Sequence, residues 1–290
     1  LVSLAGFGLA GRILLLGVER IVVKRLGQGA DAFSAAFLFF WLGGVLLLPL
    51  VPWELWGEPL PPGRIVLGAL ASGAFYSVAF VCYVRSLSEG EASLVSPLYN
   101  FNVFFLALIA WAFLGEPLSA SKLAGLALLV YGSSWLNRRD SVWRSLAALL
   151  TDRACRYMIV ASVLIAVGRV IDKSLVAQAP PVTYVCLLYW IISGYILVYA
   201  LLRRNAGDIL HLLRARPGMA LAGGAINGYS YLCLLLALTS MDVSVAEPAS
   251  MLGLVVTLVL SKLVLGERLG TRILGAGIMI VGAWCLFWPQ

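Results

Sequence analysis

Arg20 and Arg169 stand inside long apolar stretches, 149 residues apart. A guanidinium at the centre of a membrane helix costs about 2.5–3.5 kcal/mol on insertion scales, so two of them need a reason beyond packing. Two chemistries supply one. The pair can converge on a phosphate, phosphonate or carboxylate through forked hydrogen bonds. Alternatively each is held by an internal acid, Arg169 by Asp172 at i+3 and Arg20 by the neighbouring Glu19. Glu247, immediately before Pro248, is the third costly charge. Proline frees a carbonyl one turn earlier and kinks its helix, which favours a polar cavity wall there. A carboxylate at such a point suits proton coupling, stabilisation of a helix N-terminus, or pairing with an arginine.

Helical spacing adds a polar and aromatic lining. Ser96, Tyr99 and Asn100 share a face at i, i+3 and i+4, and Asn227, Ser230 and Tyr231 repeat the pattern. An amide in hydrocarbon needs a partner, so Asn100 and Asn227 are binding candidates. Tyr76, Trp41 and Trp190 join them, against the alternative that Trp and Tyr sit at the membrane interface or in helix contacts. Other chemistry is poorly provided for. His211 is the single histidine, the five cysteines are dispersed, and no Gly-rich phosphate loop with a Lys is present. Neither a zinc site, a His-based triad nor a nucleotide-driven pump can be assembled, and no cofactor and no enzymatic activity are expected.

The elements that must position these residues are membrane helices. The chain has 290 residues, 61% hydrophobic and only 12% charged, with a mean hydropathy of +0.96. Such a composition calls for lipid as solvent. A helix crosses the hydrocarbon in about 20 residues, and the apolar runs give ten, near 5–26, 32–52, 65–84, 92–114, 119–136, 157–176, 181–202, 217–238, 243–265 and 270–288. Transmembrane strands would alternate apolar with polar, and these runs do not. The first run carries Arg12 early and shows no small-residue cleavage site, so it reads as a retained helix. The cysteines read as free thiols. The net charge of +7 lies in short loops without a basic aromatic domain, so nucleic acid is not an expected partner.

Loop charges orient the spans. Fourteen Lys and Arg, among them Lys24, Arg85, Arg138, Arg139, Arg153, Arg216 and Arg272, fall on one side, against Arg64, Lys122 and Lys173 on the other. Cationic loops stay preferentially in the cytoplasm, which places both termini outside.

The chain is also an internal duplication. Leu114-Gly115-Glu116-Pro117-Leu118 recurs as Leu265-Gly266-Glu267-Arg268-Leu269, and the same offset of 151 pairs Pro97 with Pro248, Ser93 with Ser244 and Gly73 with Gly224. An offset of 149 pairs Trp41 with Trp190, Lys24 with Lys173 and Arg20 with Arg169. Five helices per copy is an odd number, so the copies must be antiparallel, the arrangement that lets two halves rock about a central site. The expected organisation is a first five-helix repeat over 1–136, a basic linker over 137–156 with Trp143, Leu146, Leu149 and Leu150 either on the membrane surface or in a solvated loop, and a second, inverted repeat over 157–290. Glu116 and Glu267 are expected to stabilise the starts of the helices that follow them. Gly125, Gly132, Gly275, Gly277 and Gly282 suit close helix contact, including a homodimer through helices five and ten.

Ten helices in two repeats, each with a Pro in its fourth helix and a Leu-Gly-Glu-x-Leu turn, resemble the EamA-type branch of the drug/metabolite transporter superfamily. Gly17-Val18-Glu19-Arg20-Ile21-Val22-Val23-Lys24 is similar to that family's first-helix motif. The resemblance implies a central cavity lined by helices one to four and six to nine, with five and ten peripheral. Arg20 and Arg169 depart from the family's usual apolar or aromatic residue. The expected function is secondary active transport of a small polar metabolite, anionic or zwitterionic, by alternating access, with Glu247 as the proton-coupling candidate. The alternative is a flippase for a lipid phosphate or lipid-linked headgroup using the same arginines. A membrane enzyme or receptor lacks a catalytic constellation or sensing domain. The expected setting is a bacterial inner membrane, with a small-molecule substrate and the bilayer as partners.

Overall fold

The computed structural model describes residues 4–56, 62–114, 120–137, 140–176, 179–238 and 249–286, and among these every regular element is a helix. Fourteen α-helices follow in order among the described residues. These are α1 (Leu4–Gly27), α2 (Ala32–Leu47), α3 (Val51–Glu54), α4 (Gly63–Glu89), α5 (Ala92–Leu98), α6 (Phe101–Leu114), α7 (Ala120–Ser133), α8 (Val142–Thr151), α9 (Arg153–Val176), α10 (Pro181–Leu202), α11 (Ala206–Ala215), α12 (Pro217–Leu238), α13 (Gly253–Leu265) and α14 (Arg272–Leu286).

Among the described residues, four stretches are long and apolar enough to cross a membrane: Ala32–Glu54, Gly63–Glu89, Arg153–Asp172 and Pro181–Leu202. Further apolar helices are shorter. The chain is a multi-pass, all-helical integral membrane protein. Helix α1 has the length but carries Arg12, Glu19, Arg20 and Lys24, all buried, so its polar content belongs to the interior and not to lipid.

Local chemistry sets the ends. Asp31 caps α2 by accepting from Ser34 N at 3.0 Å, Ser141 caps α8 through Arg144 N at 3.2 Å, and Asp152 accepts from Cys155 N at 2.8 Å at the start of α9. Helix α13 closes on Gly266 at φ 68°, a left-handed conformation that glycine adopts without a Cβ penalty. Glu267 N then bonds back to Ser261 O at 3.1 Å.

The fourth apolar stretch is interrupted. After Pro97 the bonds shorten to three-residue steps, Tyr99 N to Ser96 O, Asn100 N to Pro97 O and Asn102 N to Tyr99 O, and α6 begins only at Phe101. Proline cannot donate and crowds the preceding turn, so the chain tightens locally. The matching place after Pro248 does the same: Leu252 N bonds to Ala249 O and Leu254 N to Met251 O. Residues 239–248 lie outside the described part, and with them Glu247, Ser244 and the proline itself.

Packing comes in matched couples. Helix α1 packs on α12 and α13, and α9, its repeat mate, packs on α4 and α6, the mates of those two. Helix α2 packs on α12 as α10 packs on α4. Helices α2 and α10 meet each other, as do α7 and α14. The last pair explains the glycines. A Cβ on Gly132 would lie 2.9 Å from Gly275 O, and one on Gly282 would lie 2.9 Å from Gly125 O. Gly125, Gly132, Gly275 and Gly282 thus serve the contact of α7 with α14 inside one chain, while a Cβ on Gly277 would meet nothing within 4 Å. In the stretch between the halves, α8 buries Ser145 and Leu149 and exposes Trp143 and Leu150.

Candidate functional site

A central cavity of about 40 Å³ lies among α1, α2, α4, α5, α9, α10 and α12. Its walls include Arg12, Leu16, Glu19, Phe40, Tyr76, Phe80, Tyr99, Ile165, Arg169, Tyr189, Asn227 and Tyr231. That space holds roughly three waters, so a metabolite would require the halves to part. Repeat mates line it together. Leu16 and Ile165, and Phe40 and Tyr189, are 149 apart; Tyr76 and Asn227, and Phe80 and Tyr231, are 151 apart.

Charge enters from α1 and α9. Arg12, 6% exposed, donates from Nη1 to Ser230 Oγ at 2.7 Å, and its Nε has no hydrogen-bond partner. Glu19 lies two turns further along the same face, buried, and accepts from Tyr83 OH at 3.3 Å with Arg12 and Arg20 in electrostatic reach. On the other side Asp172, 4% exposed, accepts from Tyr184 OH at 2.5 Å, with Arg169, Ser72 and Tyr76 beside it. Each arginine-bearing helix thus brings its own carboxylate, and each carboxylate is held by a tyrosine from a neighbouring helix.

The residues expected from sequence divide into four groups. Arg169, Glu19, Tyr99, Asn227 and Tyr231 line the cavity. Asn227 is fixed there, with Oδ1 accepting from Tyr189 OH at 2.8 Å and Nδ2 donating to Phe39 O at 3.3 Å. Arg20 and Asn100, each 1% exposed, lie behind the wall; the Arg20 guanidinium sits 5.2 Å from the centre of the Tyr99 ring. The two tryptophans stay out of the cavity: Trp41 stacks on Phe37, and Trp190 is 43% exposed on the outer face of α10. Glu247 lies outside the described residues. Arg12 was missed as a site residue, although it stands at i−7 from Glu19 with Leu16 between them on one helical face. That stripe was the available signal.

A second buried cluster lies at the side that carries most basic loops. Glu267, expected to serve α14, instead caps α5: it accepts from Ala92 N at 2.9 Å and Ser93 N at 2.8 Å, and pairs with Lys24 at 3.0 Å. The exposed N–H groups nearest its carboxylate belong to a helix 174 residues earlier, because α13 packs beside α1 and its end falls over the start of α5. Lys24 also reaches Gly90 O, and Arg272 reaches Glu91 and, at 2.7 Å, Ser93 Oγ. Burial pushes the Glu267 carboxyl up, but the bonds from Ser93, Ala92 and Lys24 outweigh it and hold it below the ordinary glutamate range. At the opposite side Glu54 caps α10 in the same manner, accepting from Val182 N at 2.9 Å and Thr183 N at 2.7 Å. Glu116 lies outside the described residues.

Comparison with known proteins agrees with this architecture. The model of the EamA-like transporter family matches residues 6–138 and 153–288. An uncharacterized transporter of Bacillus subtilis (strain 168), YvbV, is 27% identical over 171 residues, covering 53% of this chain and 55% of that protein. An uncharacterized transporter in the cobO 3' region of a Sinorhizobium species is 32% identical over 79 residues, 27% of this chain and 56% of that protein. The chain therefore spans about half the length of these two relatives. One crystal structure shares the fold at a TM-score of 0.59 and 16% identity, over 99% of this chain and 98% of its own. A family match running through both copies of the repeat, and breaking only at the linker, makes this chain a member of the EamA-like transporter family of the drug/metabolite transporter superfamily.

Proposed function

We propose that this protein is a secondary active transporter that moves a small anionic or zwitterionic organic metabolite by alternating access, through ten membrane helices arranged as two inverted five-helix repeats, 1–136 and 157–290, joined by the linker 137–156. The observation that carries this reading is the central cavity walled by repeat-equivalent residues and by two arginines and the Glu19 carboxylate, which a lipid-facing surface would not tolerate. The matched couples of packing helices support it, because exchanging the roles of the two halves then reopens the cavity on the other side. Six aromatic rings beside the charges favour a cargo with an apolar body and a charged end. The loop charges favour basic loops in the cytoplasm of a bacterial inner membrane. Glu247, which has Ser96 as its repeat mate, is the proposed proton-coupling carboxylate.

The test is a thermal-stability screen of purified protein against amino acids, organic acids, phosphorylated metabolites and polyprenyl or glycerolipid phosphates, followed by flux of the stabilising solute into proteoliposomes. Stabilisation by small organic anions and their flux are expected. Stabilisation by lipid phosphates alone would sink the metabolite reading in favour of a flippase. Flux that responds to an imposed pH gradient in the wild type but not in Glu247→Gln is the expected sign of coupling.

A further inference from the structure

The three arginines of the centre, Arg12 and Arg20 buried and Arg169 half-buried, are not equally served. Arg12 donates to Ser230, and Arg169 has Asp172 one turn away. Arg20, 1% exposed, has neither its Nε nor its Nη1 satisfied by any hydrogen bond. Its contact with the Tyr99 ring supplies a cation–π interaction, which falls short of the cost of taking the charge out of water. Other donors beside Tyr99 are equally unserved. Asn100 Nδ2 and Ser96 Oγ, within one turn of that ring on the interrupted fourth helix, are fully buried and have no partner. Among the described residues this break buries a cation and two donors with no hydrogen-bond acceptor on them, beside one unpaired acceptor, Asn102 Oδ1, so an entering acceptor meets more donors than the helix itself answers.

We propose that Arg20, with Asn100 and Ser96 at the break of the fourth helix, forms a subsite for a carboxylate of the cargo, with Tyr99 as the wall between this subsite and the central cavity. The proposal rests on the transporter reading above and names the group that the transporter recognises. The duplication explains why the first half takes it. The positions matching Ser96 and Asn100 carry Glu247 and Met251, an acid and a thioether, so the second copy of the sequence has no equivalent set of donors for an anion.

Thermal unfolding of the full chain in lipid nanodiscs tests this without knowing the natural cargo. With no solute, Arg20→Met should melt above the wild type, because it removes a buried charge whose Nε and Nη1 have no hydrogen-bond partner. With benzoate, lactate and acetate as carboxylate probes, at least one should raise the wild-type midpoint saturably, while benzamide, the neutral isostere of benzoate, should not. The apparent affinity should fall about tenfold or more in Arg20→Met and recover in part in Arg20→Lys. A ligand-free Arg20→Met that folds but melts below the wild type would mean that the guanidinium is a structural partner, and the proposal would be overturned. It is overturned equally if no carboxylate protects the wild type, or if protection is unchanged in Arg20→Met. If neutral solutes protect and are carried into proteoliposomes, the transporter reading stands and the subsite falls.

Discussion

Two buried charge clusters lie on helix α1, and they are built on opposite terms. Around Glu267 and Lys24 every charge finds partners: two backbone N–H groups and an ammonium on the carboxylate, a carboxylate and a carbonyl on the ammonium. Around Arg20, one turn earlier, a guanidinium and the polar groups of Ser96, Asn100 and Asn102 are left without them. Both places hold charged side chains that are less than a tenth exposed. The first cluster ties the ends of α1 and α13 to the start of α5, so it fixes one conformation of that side. The second is under-satisfied and therefore gains from whatever anion enters. Full satisfaction marks a latch, and deficiency marks a site.

The contrast is sharpest in what removal costs. Glu267→Ala leaves Lys24 and the Ala92 and Ser93 N–H groups buried without their acceptor, and breaking a buried pair of this kind costs about 3–5 kcal/mol. A large drop in the unfolding midpoint is expected, with increased labelling of cysteines introduced near Ser93 if the side has opened. An unchanged midpoint would dissolve the distinction between the two clusters.

Next in size are the tyrosines that hold the central acids. Tyr184→Phe removes a 2.5 Å bond to Asp172 and Tyr83→Phe a 3.3 Å bond to Glu19. Losses of roughly 1.5–3 kcal/mol bound the effect for a charged acceptor, with Tyr184 expected at the upper end and Tyr83 at or below the lower. Denaturant titration of both variants reads the order, and the reverse order would show that bond length does not rank them.

Smaller again is the response to pH. The Glu267 carboxyl is held below its ordinary value in the folded chain, so its stabilising contribution is complete above the ordinary carboxylate range and fades as pH falls through the lowered value. Midpoints of wild type and Glu267→Gln, measured side by side, should therefore converge on acidification. A gap independent of pH would place the effect in packing and not in charge.

The smallest effect belongs to the second cluster. Asn100→Leu exchanges a buried amide with an unserved Nδ2 for an apolar side chain of similar size, so the ligand-free stability should stay within about 0.5 kcal/mol or rise. A marked loss would mean that Asn100 is a structural element like Glu267.

Much of the frame was legible beforehand. The apolar run at 181–202 coincides with α10, because a helix that opens on Pro181 and closes on Arg203 and Arg204 announces its own ends, and Pro217 likewise opens α12. The offsets of 149 and 151 pointed at the mates that line the cavity together. The interruption at Tyr99 and Asn100 was not read, since Pro97 suggests a kink but the tightened bonds after it depend on what packs there; Ser162 of α9 donates to Leu98 O at 3.2 Å. Trp41 and Trp190 misled because aromatic character does not say which face of a helix turns inward. Glu267 misled because local capping logic looks to the following helix, whereas its carboxylate serves one far away in sequence.

The sequence by itself determined that this is a helical membrane protein of duplicated design, belonging to one transporter family, with charges that hydrocarbon would not accept at Glu19, Arg20 and Arg169. Those conclusions rest on composition, period and repetition, which are properties of the chain along its length. Only the tertiary structure decided that Arg12 lines the cavity, that Arg20 stands behind Tyr99 without acceptors, and that Glu267 closes over the start of α5. A hydrogen bond is satisfied or orphaned according to what other helices bring within about 3 Å, and no pattern along one helix carries that information.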